Sequence, residues 1–375
     1  MVVAALASAA CDDPTAPEQT SVPGDALPAR VVVAYVSADE AVARPILAAF
    51  TAETGIEVQA RFDGEQSKSV ALAGMLRQER ESPRADVFWS SECLAAAELG
   101  REGITAPWRS RRADALPEPL HGEAGRWYGF APRMRVLVFD PSRSGIESVP
   151  RSMMAIAAKG LVGRVAIADP RFGTTRGHVA VFAGALERES PGAYAEWLDG
   201  FAANKPLLVN GGNAAVVDAV VRGEAAFGLT DSDDFYAFAS DGASLGVVAI
   251  RQREEPGEGA GPLLIPNTVS LIANAPHAEE ASALMDFLLS AKVTRWLHES
   301  RSGNLVPQGL DVASAREVSP PAGLPLLVSA GVVAAGQQVI ESAPDCVYFD
   351  EFIALDGAEA AVAALRAACL GGANR

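Results

Sequence analysis

The chain has few basic side chains for its length. It carries 31 Lys and Arg residues against 47 Asp and Glu residues, which gives a formal net charge of −16 over 375 residues. Nucleic acids and anionic membrane surfaces recruit proteins through basic patches, so this balance argues against either as a direct partner. An acidic surface of this kind favours solubility and, more weakly, cationic ligands.

The sequence also lacks the common catalytic motifs. It contains no GxSxG nucleophile elbow, no Walker loop and no GxGxxG dinucleotide fingerprint. Its four histidines, at positions 121, 178, 277 and 298, are dispersed and form no HExxH zinc motif. An enzyme of these classes would therefore lack its nucleophile or its cofactor site, and we expect a protein that is not an enzyme.

Cysteine is scarce, and the spacing of the four cysteines fits no zinc motif. Cys11 ends a short Ala-rich run, MVVAALASAAC, which resembles the end of a bacterial lipoprotein signal peptide, where the cysteine after small residues is lipidated. Residues 12–29 are rich in Pro, Thr and acids and predict a disordered tether. We therefore expect an extracytoplasmic domain anchored through Cys11. An exported protein can form disulfides. Cys346 and Cys369 can pair with each other or remain free thiols, and the sequence leaves both outcomes open.

From residue 31 onward the sequence alternates strands and helices. Apolar, β-branched runs at 31–36, 56–62 and 85–90 enclose two helical segments, and a second series starts at 165–169. The first helix places Val42, Ile46, Leu47 and Phe50 on one face, as expected for packing on a sheet. This alternation predicts an α/β fold built from open, mostly parallel sheets, and the length allows two domains.

Polar loops follow six of the predicted strands. In open α/β sheets, ligands bind beyond the carboxyl ends of the strands, so these loops mark the expected site. They are residues 37–40, 63–67, 90–92, 169–178, 210–213 and 230–234. Three loops belong to the first α/β unit and three to the second, so two facing lobes would line one cleft with all six.

The loop after the strand EAAFGLT carries three acids in four residues. Asp231, Asp233 and Asp234 offer carboxylate oxygens, the donors that hard cations such as Mg²⁺, Ca²⁺, Mn²⁺ and Fe³⁺ prefer. Acids at this place can also cap a helix and complement its dipole, with Asp231 or Ser232 at the N-cap. Both interpretations stay open, and they are compatible.

A second loop, DPRFGTTRGH, predicts an anion site. Gly173, Thr174, Thr175 and Arg176 stand at an expected helix start, where backbone N–H groups, hydroxyls and a guanidinium can hold an oxyanion. Asn213, in the loop NGGN, offers a weaker signal of the same kind. An ordinary glycine-containing turn remains the alternative.

Several segments together resemble a known family. They are PILAAFTAETGIEV, ESPRADVFWSSE, RWYGFAPRMRVLVFD, GGNAAVVDAVVRGEAAFGLTDSDD and ASALMDFLLSAKVTRWLHES, and they cover roughly residues 31–310. The chain resembles the type II periplasmic solute-binding proteins of ABC transporters, and within them the ferric-ion-binding group. The resemblance implies a two-lobed fold with an open α/β sheet in each lobe. Residues 31–132 plus 265–375 would form lobe 1 and residues 133–264 lobe 2, joined by a two-strand hinge.

The resemblance also implies a ligand set, with one departure. In ferric-binding relatives the segment equivalent to 229–234 ends in two adjacent tyrosines whose phenolates bind iron, whereas this chain carries Asp233 and Asp234. Asp39 lies nearest the position of a first-lobe histidine, and Glu92 matches the acid after the third strand. The implied metal ligands are therefore Asp39, Glu92, Asp233 and Asp234. The loop Gly173 to Arg176 would hold a carbonate-like or phosphate-like synergistic anion.

The prediction is an extracytoplasmic solute-binding protein of an ABC importer. It would be a monomer that captures a hard metal ion, ferric iron first, with an anion, and delivers it to a permease with its ATPase. The alternative within the fold is a small organic solute, phosphorylated or cationic, held by the acidic pair. A carboxylate-dependent hydrolase is the alternative from another class.

Overall fold

The computed structural model describes residues 30–63, 70–307, 309–315, 317–328, 331–341, 343 and 345–372. The expected lipidation site Cys11, the tether 12–29 and most of the predicted loop 63–67 lie outside the described residues. No helix within the described ranges is both long enough and apolar enough to cross a membrane.

The described residues form eleven strands and fourteen α-helices, with four short 3₁₀ turns between them. The strands are β1 (Val31–Val36), β2 (Glu57–Phe62), β3 (Val87–Ser90), β4 (Thr105–Ala106), β5 (Tyr128–Phe139), β6 (Val165–Ala168), β7 (Leu207–Val209), β8 (Phe227–Asp231), β9 (Gly246–Ala249), β10 (Leu263–Ile272) and β11 (Val347–Tyr348). The helices are α1 (Glu40–Thr54), α2 (Val70–Gln78), α3 (Leu94–Arg101), α4 (Arg111–Asp114), α5 (Met153–Ile156), α6 (Gly173–Glu189), α7 (Ala193–Ala203), α8 (Gly212–Arg222), α9 (Ser232–Ser240), α10 (Ala278–Leu288), α11 (Ala291–Glu299), α12 (Val332–Glu341), α13 (Glu351–Ala354) and α14 (Ala358–Gly372).

The sheet joins two parallel groups through two antiparallel strands. Its order is β2-β1-β3-β10-β5-β8-β6-β7, with β4 and β11 paired to β10 and β9 paired to β5. Strands β2, β1 and β3 run parallel, and so do β8, β6 and β7. The carboxyl ends of each parallel group therefore meet at one edge, as the alternation of strands and helices predicts.

The first helix shows how the local sequence sets these elements. Asp39 precedes α1 and its Oδ1 accepts the Ala41 N–H at 3.1 Å, which satisfies a backbone donor at the helix start. The helix ends at Gly55, whose φ of 72° is the left-handed conformation that glycine adopts most readily. Val42, Ile46, Leu47 and Phe50 are buried on its inner face, as predicted.

Strands β5 and β10 connect the two groups. The first half of β5 pairs with β10, and its second half, from Arg135 to Phe139, pairs with β8 and β9. Between the halves, Ala131 is buried with a φ of 41°, and the β5–β10 register shifts between Ile265 and Asn267. The Ala131 carbonyl accepts hydrogen bonds from the side-chain amides of Asn267 (3.0 Å) and Asn304 (2.9 Å). This kink lies where the predicted hinge strands cross.

The C-terminal helices pack with the second group of strands. Helix α14 contacts α6 and α7, and its Leu365 and Cys369 belong to the apolar core that contains Phe182 and Trp197. The sequence prediction places residues 265–375 in lobe 1, whereas α14 packs against helices of the second group of strands. The Cys346–Cys369 bridge is not formed, because the two thiols are free and lie in different apolar clusters.

Candidate functional site

A cavity of about 510 Å³ opens at the carboxyl ends of the strands. Loops after β1, β3, β6, β7 and β8 contribute to its wall, so five of the six polar loops meet as the strand topology predicts. The lining residues are Ala38, Asp39, Val42, Trp89, Ser91, Arg133, Ala168, Asp169, Arg171, Phe172, Gly173, Thr174, Asn210, Gly211, Gly212, Asn213, Ala214, Asp231, Asp233, Asp234, Asn267, Leu297, Ser302 and Asn304.

Asp231 accepts hydrogen bonds from four different side chains in and behind this wall. It ends β8, is 2% exposed, and its Oδ1 accepts from Arg135 Nη1 at 2.6 Å. Its Oδ2 accepts from the Thr174 hydroxyl at 2.5 Å, Asn213 Nδ2 at 2.9 Å and Arg133 Nε at 3.3 Å. These bonds occupy both carboxylate oxygens, so Asp231 organises the wall.

The same contacts set the pKa of Asp231. Burial by itself would raise this pKa, but the guanidinium groups of Arg135 and Arg133 favour the charged form more strongly. The pKa of Asp231 therefore lies below its ordinary value of 3.8. The carboxylate remains ionised in the neutral range and fixes both arginines.

Asp233 and Asp234 stand in the first turn of α9, beside Asp231. One carboxylate oxygen from each of the three acids lies within 4.8 Å of the others. Asp234 Oδ2 accepts from the Thr230 hydroxyl at 2.9 Å, and Asp233 Oδ2 lies 3.5 Å from Arg133 Nε. Both acids line the cavity and both lie at a helix start. This geometry is therefore compatible both with a cation site and with acids that complement the dipole of α9.

Asp39 reaches the cavity from the first group of strands. It is exposed and lines the wall while capping α1. Asp39 and the Asp233–Asp234 pair thus line the same cavity but follow strands of different groups, β1 and β8.

Glu92 lies elsewhere. It is 2% exposed, and its carboxylate accepts the Leu94 N–H at 2.6 Å and the Ala95 N–H at 3.0 Å at the start of α3. Burial raises the pKa of Glu92 to about 7. Both oxygens of Glu92 therefore accept from the start of α3, and the residue is not part of the cavity wall.

The predicted anion loop is brought to the cavity only in part. Gly173, Thr174 and Asn213 line it, and Gly173 begins α6 after Phe172, whose side chain makes no capping bond. Thr175 is buried and donates its hydroxyl to Asn213 Oδ1 at 3.1 Å. The first-turn N–H groups of α6 thus start at the cavity wall, where they can meet an oxyanion.

Arg176 departs from the prediction. Its Nη2 lies 2.5 Å from Glu98 Oε1 on α3, and both side chains are mostly buried. Successive side chains of a helix point about 100° apart. Arg176 follows Thr174 by two residues, so it points to the far side of α6 from Thr174, which faces the cavity. The guanidinium expected for the anion is therefore engaged in an ion pair between α6 and α3.

Arg133 lines the cavity, and sequence reasoning missed it. It shares the face of β5 with Arg135, because side chains two apart on a strand point the same way. Both guanidinium groups reach Asp231. The signal was present in APRMRVLVFD, where two arginines at alternate positions interrupt a buried apolar strand.

Sequence reasoning also missed the ion pairs of Asp169, which lines the cavity. Asp169, at the end of β6, accepts from Arg171 Nη2 at 2.7 Å and from Arg366 Nε of α14 at 3.1 Å. Behind the wall His178 is fully buried between Arg135 Nε (3.2 Å) and Gln252 Oε1 (3.1 Å). Burial, and then the Arg135 charge, lower the pKa of His178 to about 3, so it is a neutral structural group.

A polar cavity between two α/β units that are joined by crossing strands defines a protein that binds a solute. Comparisons with known proteins agree with this class. Iron uptake protein A1 of Synechocystis sp. is 27% identical over 266 residues, 68% of this chain and 70% of the relative. The Fe(3+)-binding periplasmic protein of Serratia marcescens is 25% identical over 259 residues, 68% of this chain and 73% of the relative.

The solved structures support the same fold. Iron-bound HitA from Pseudomonas aeruginosa superposes with a TM-score of 0.68 at 19% identity, covering 90% of this chain and 99% of that chain. Residues 31–300 match the family described as bacterial extracellular solute-binding protein. The chain belongs to this family. The predicted two-lobed fold and the resemblance to ferric-binding proteins are confirmed.

Proposed function

We propose that the protein captures ferric iron together with an anion in this cavity and delivers it to an ABC importer. The observation that carries the proposal is that both groups of strands bring carboxylates to one cavity. Asp39 extends from the first group of strands, and Asp233 and Asp234 extend from the second. Carboxylate oxygens are suitable ligands for a hard trivalent cation.

Ligands from both groups of strands also explain how metal binding would change the conformation of the protein. A cation that contacts Asp39 and the Asp233–Asp234 pair together binds more tightly when the two sides approach. It therefore shifts the population towards a closed form. The kinked crossing strand at Ala131 is the natural place for that movement.

The anion belongs to the proposal because the protein ligands are few. None of the described residues that line the cavity is a tyrosine or a histidine. Three carboxylates leave coordination positions of a six-coordinate ion for other donors. The start of α6 at Gly173 lies in the same wall and has no side-chain cap, so its first-turn backbone N–H groups can hold an oxygen-rich anion.

The cellular setting follows from the family and the N-terminal sequence. We propose a periplasmic monomer that is anchored through lipid on Cys11 and docks on a permease with its ATPase. The names of the relatives, an iron uptake protein and a periplasmic binding protein, support the periplasmic location and the role in uptake.

Isothermal titration tests the proposal. The protein is titrated with Fe³⁺–citrate and, separately, with Mg²⁺, Ca²⁺ and Mn²⁺. We expect the double variant Asp233→Asn/Asp234→Asn to lose at least tenfold in iron affinity, because two charged ligands become neutral. The matched control is Glu196→Gln/Asp199→Asn, which neutralises two acids on α7 outside the cavity wall. Unchanged iron affinity in the Asp233/Asp234 variant would contradict the assignment.

An organic solute is the second candidate, and the two arginines on the wall favour it specifically. Arg133 and Arg171 could meet a phosphate, and a cavity of about 510 Å³ admits a small sugar phosphate. A thermal-shift screen in excess chelator separates the two candidates. Stabilisation by a phosphorylated solute under those conditions would replace the metal proposal.

A further inference from the structure

Residues 345–372, called the C-terminal strap below, contact both groups of strands. Strand β11 lies at the start of the strap and pairs with β10, and the Phe349 N–H then donates to the Leu264 carbonyl at 3.2 Å. The Phe349 side chain is 4% exposed and lies in one apolar cluster with Leu94 of α3 and Val181 of α6. Helix α3 follows the first group of strands and α6 belongs to the second, so the strap lies where the two meet.

The strap is attached to the second group through α14. The Leu365 side chain is fully buried in the apolar core that α14 shares with α6 and α7, and the Tyr194 hydroxyl donates to the Ala361 carbonyl at 3.0 Å. Arg366 Nε lies 3.1 Å from Asp169 Oδ2, and Asp169 lines the cavity. The strap therefore belongs mechanically to the second group and reaches the cavity wall through Arg366.

The attachment of the strap to the first group includes a small polar contact. Glu351, in α13, is 7% exposed, and its Oε2 accepts the Trp127 indole N–H at 2.8 Å. Its Oε1 accepts the Glu123 backbone N–H at 2.5 Å. Both donors come shortly before the half of β5 that is joined through β10 to β3 of the first group. The described residues that line the cavity do not include any of these three.

The two attachments differ in how readily they can be released. The groups of strands are joined by β5 and β10, so a movement between them bends these strands near the kink at Ala131. Separation of α14 from the second group would expose an apolar helix face to water. Release of Glu351 instead exchanges two hydrogen bonds for bonds to water, which costs less. The contact of Glu351 is therefore the one that opens when the two groups move apart.

We propose that Glu351 is a latch on the movement between the two groups of strands. While it holds Trp127 and Glu123, both groups stay in the arrangement in which they line one cavity. Hydrogen bonds to a charged carboxylate are stronger than neutral ones, so the contact favours this arrangement. Release of Glu351 raises the population of arrangements in which the first group has moved away from the strap. Glu351 is thus a positioning residue, and the latch does not depend on which ligand the cavity takes.

Distances between two spin labels test the latch without any ligand. One label is attached to Gln59→Cys on β2 of the first group, and the other to Lys159→Cys after α5, which packs in the core of the second group. Both positions are exposed. The native cysteines are replaced by serine apart from the buried Cys93 and Cys369, and labelling without the two introduced cysteines measures the background. The distances are measured by pulsed electron paramagnetic resonance on the full chain.

For the wild type we expect one main distance. Glu351→Gln keeps the size of the side chain but turns an NH₂ group towards one of the two donors. The ratio of a second distance to the main distance should therefore rise about tenfold. Trp127→Phe removes the indole N–H and should act in the same direction. The double variant should not exceed the larger single effect, because both substitutions remove one shared contact.

The matched control is Glu187→Gln. The Glu187 carboxylate also accepts two backbone N–H groups, from Gly192 and Tyr194, but both lie within the second group. This variant should leave the distances unchanged. Unchanged distances in Glu351→Gln and Trp127→Phe, with the fold kept by circular dichroism, would overturn the latch. Effects that add in the double variant would overturn it as well.

If Trp127→Phe does not fold, Glu351→Gln and Glu351→Ala decide the outcome by the same distance ratio. Titration with Fe³⁺–citrate links the latch to the cavity. The apparent affinity of Glu351→Gln should fall by the factor by which the latched fraction falls, because only that fraction is competent to bind. An affinity that stays constant while the latched fraction falls would overturn this link. A wild type that does not bind Fe³⁺–citrate would overturn the proposed function and leave the latch standing, because the distances are measured without ligand.

Discussion

Replacement of Glu92 by glutamine separates two roles that the sequence alone could not distinguish. The resemblance assigned Glu92 to the metal, whereas the structure buries its carboxylate at the start of α3 against the N–H groups of Leu94 and Ala95. Glu92→Gln should leave metal affinity within a factor of about two, because no ligand is lost. Its effect should appear in how stability depends on pH.

The expected size follows from the pKa. Burial raises the pKa of Glu92 from 4.5 to about 7, so the folded protein holds this proton more tightly than the unfolded chain does. Stability from this group is therefore greatest below about pH 4.5 and falls as the pH rises towards 7. Each pKa unit is worth about 1.4 kcal/mol, so the loss across that window is about 3 kcal/mol at most.

Urea unfolding at intervals from pH 4.5 to 8.5 measures this directly. Glutamine keeps one acceptor for the helix start and has no charge, so its cost of about 1 kcal/mol in lost capping is the same at every pH. The stability of Glu92→Gln relative to the wild type should therefore rise by about 2–3 kcal/mol between pH 4.5 and 7.5. The exposed Glu147→Gln serves as the control and should show no such trend.

Two results would refute this reasoning. A pH dependence identical to that of the wild type would show that burial does not disfavour the charge at Glu92. A loss of metal binding with an unchanged fold would return Glu92 to the ligand set.

Two further predictions concern the wall and the hinge. Asp231→Asn should cost about 3–5 kcal/mol in urea unfolding at pH 7, because it leaves Arg133 and Arg135 buried without their carboxylate. Since the folded pKa of Asp231 lies below 3.8, this contribution is full above that pH and is lost on acidification, so a difference that persists unchanged to pH 2 would contradict the mechanism. Ala131→Gly should raise the unfolding free energy by about 1 kcal/mol, because a φ of 41° is strained for alanine and natural for glycine. A lower melting temperature for that variant would show that Ala131 is not strained.

The acidic loop shows how far local sequence reasoning reaches. Its position after a buried strand and before a helix is visible in the letters, and the structure puts Asp233 and Asp234 in the first turn of α9 on the cavity wall. The role of Asp231 is not visible there. Its partners Arg133, Arg135 and Thr174 come from distant parts of the chain, and pairing at such separations leaves no periodic signal.

The predicted anion loop makes the same point from a helix. Thr174 and Arg176 are two residues apart in the loop Gly173 to Arg176, and the sequence analysis predicts that the whole loop binds an anion. In the structure Thr174 faces the cavity, whereas Arg176 pairs with Glu98 of α3. The rotational phase of α6 decides this, and that phase depends on how the helix packs against α3 and the C-terminal helices.

By itself, the sequence determined the alternating α/β pattern, the family resemblance and the edge of the sheet at which a ligand binds. These follow from hydrophobic periodicity and from the rule that parallel strands bring their carboxyl ends together. Only the tertiary structure decided which charged groups face the cavity, namely Arg133 in place of Arg176, with Glu92 turned to a helix start. Side-chain direction depends on strand pairing and helix packing across about a hundred residues of chain, and no local pattern encodes those contacts.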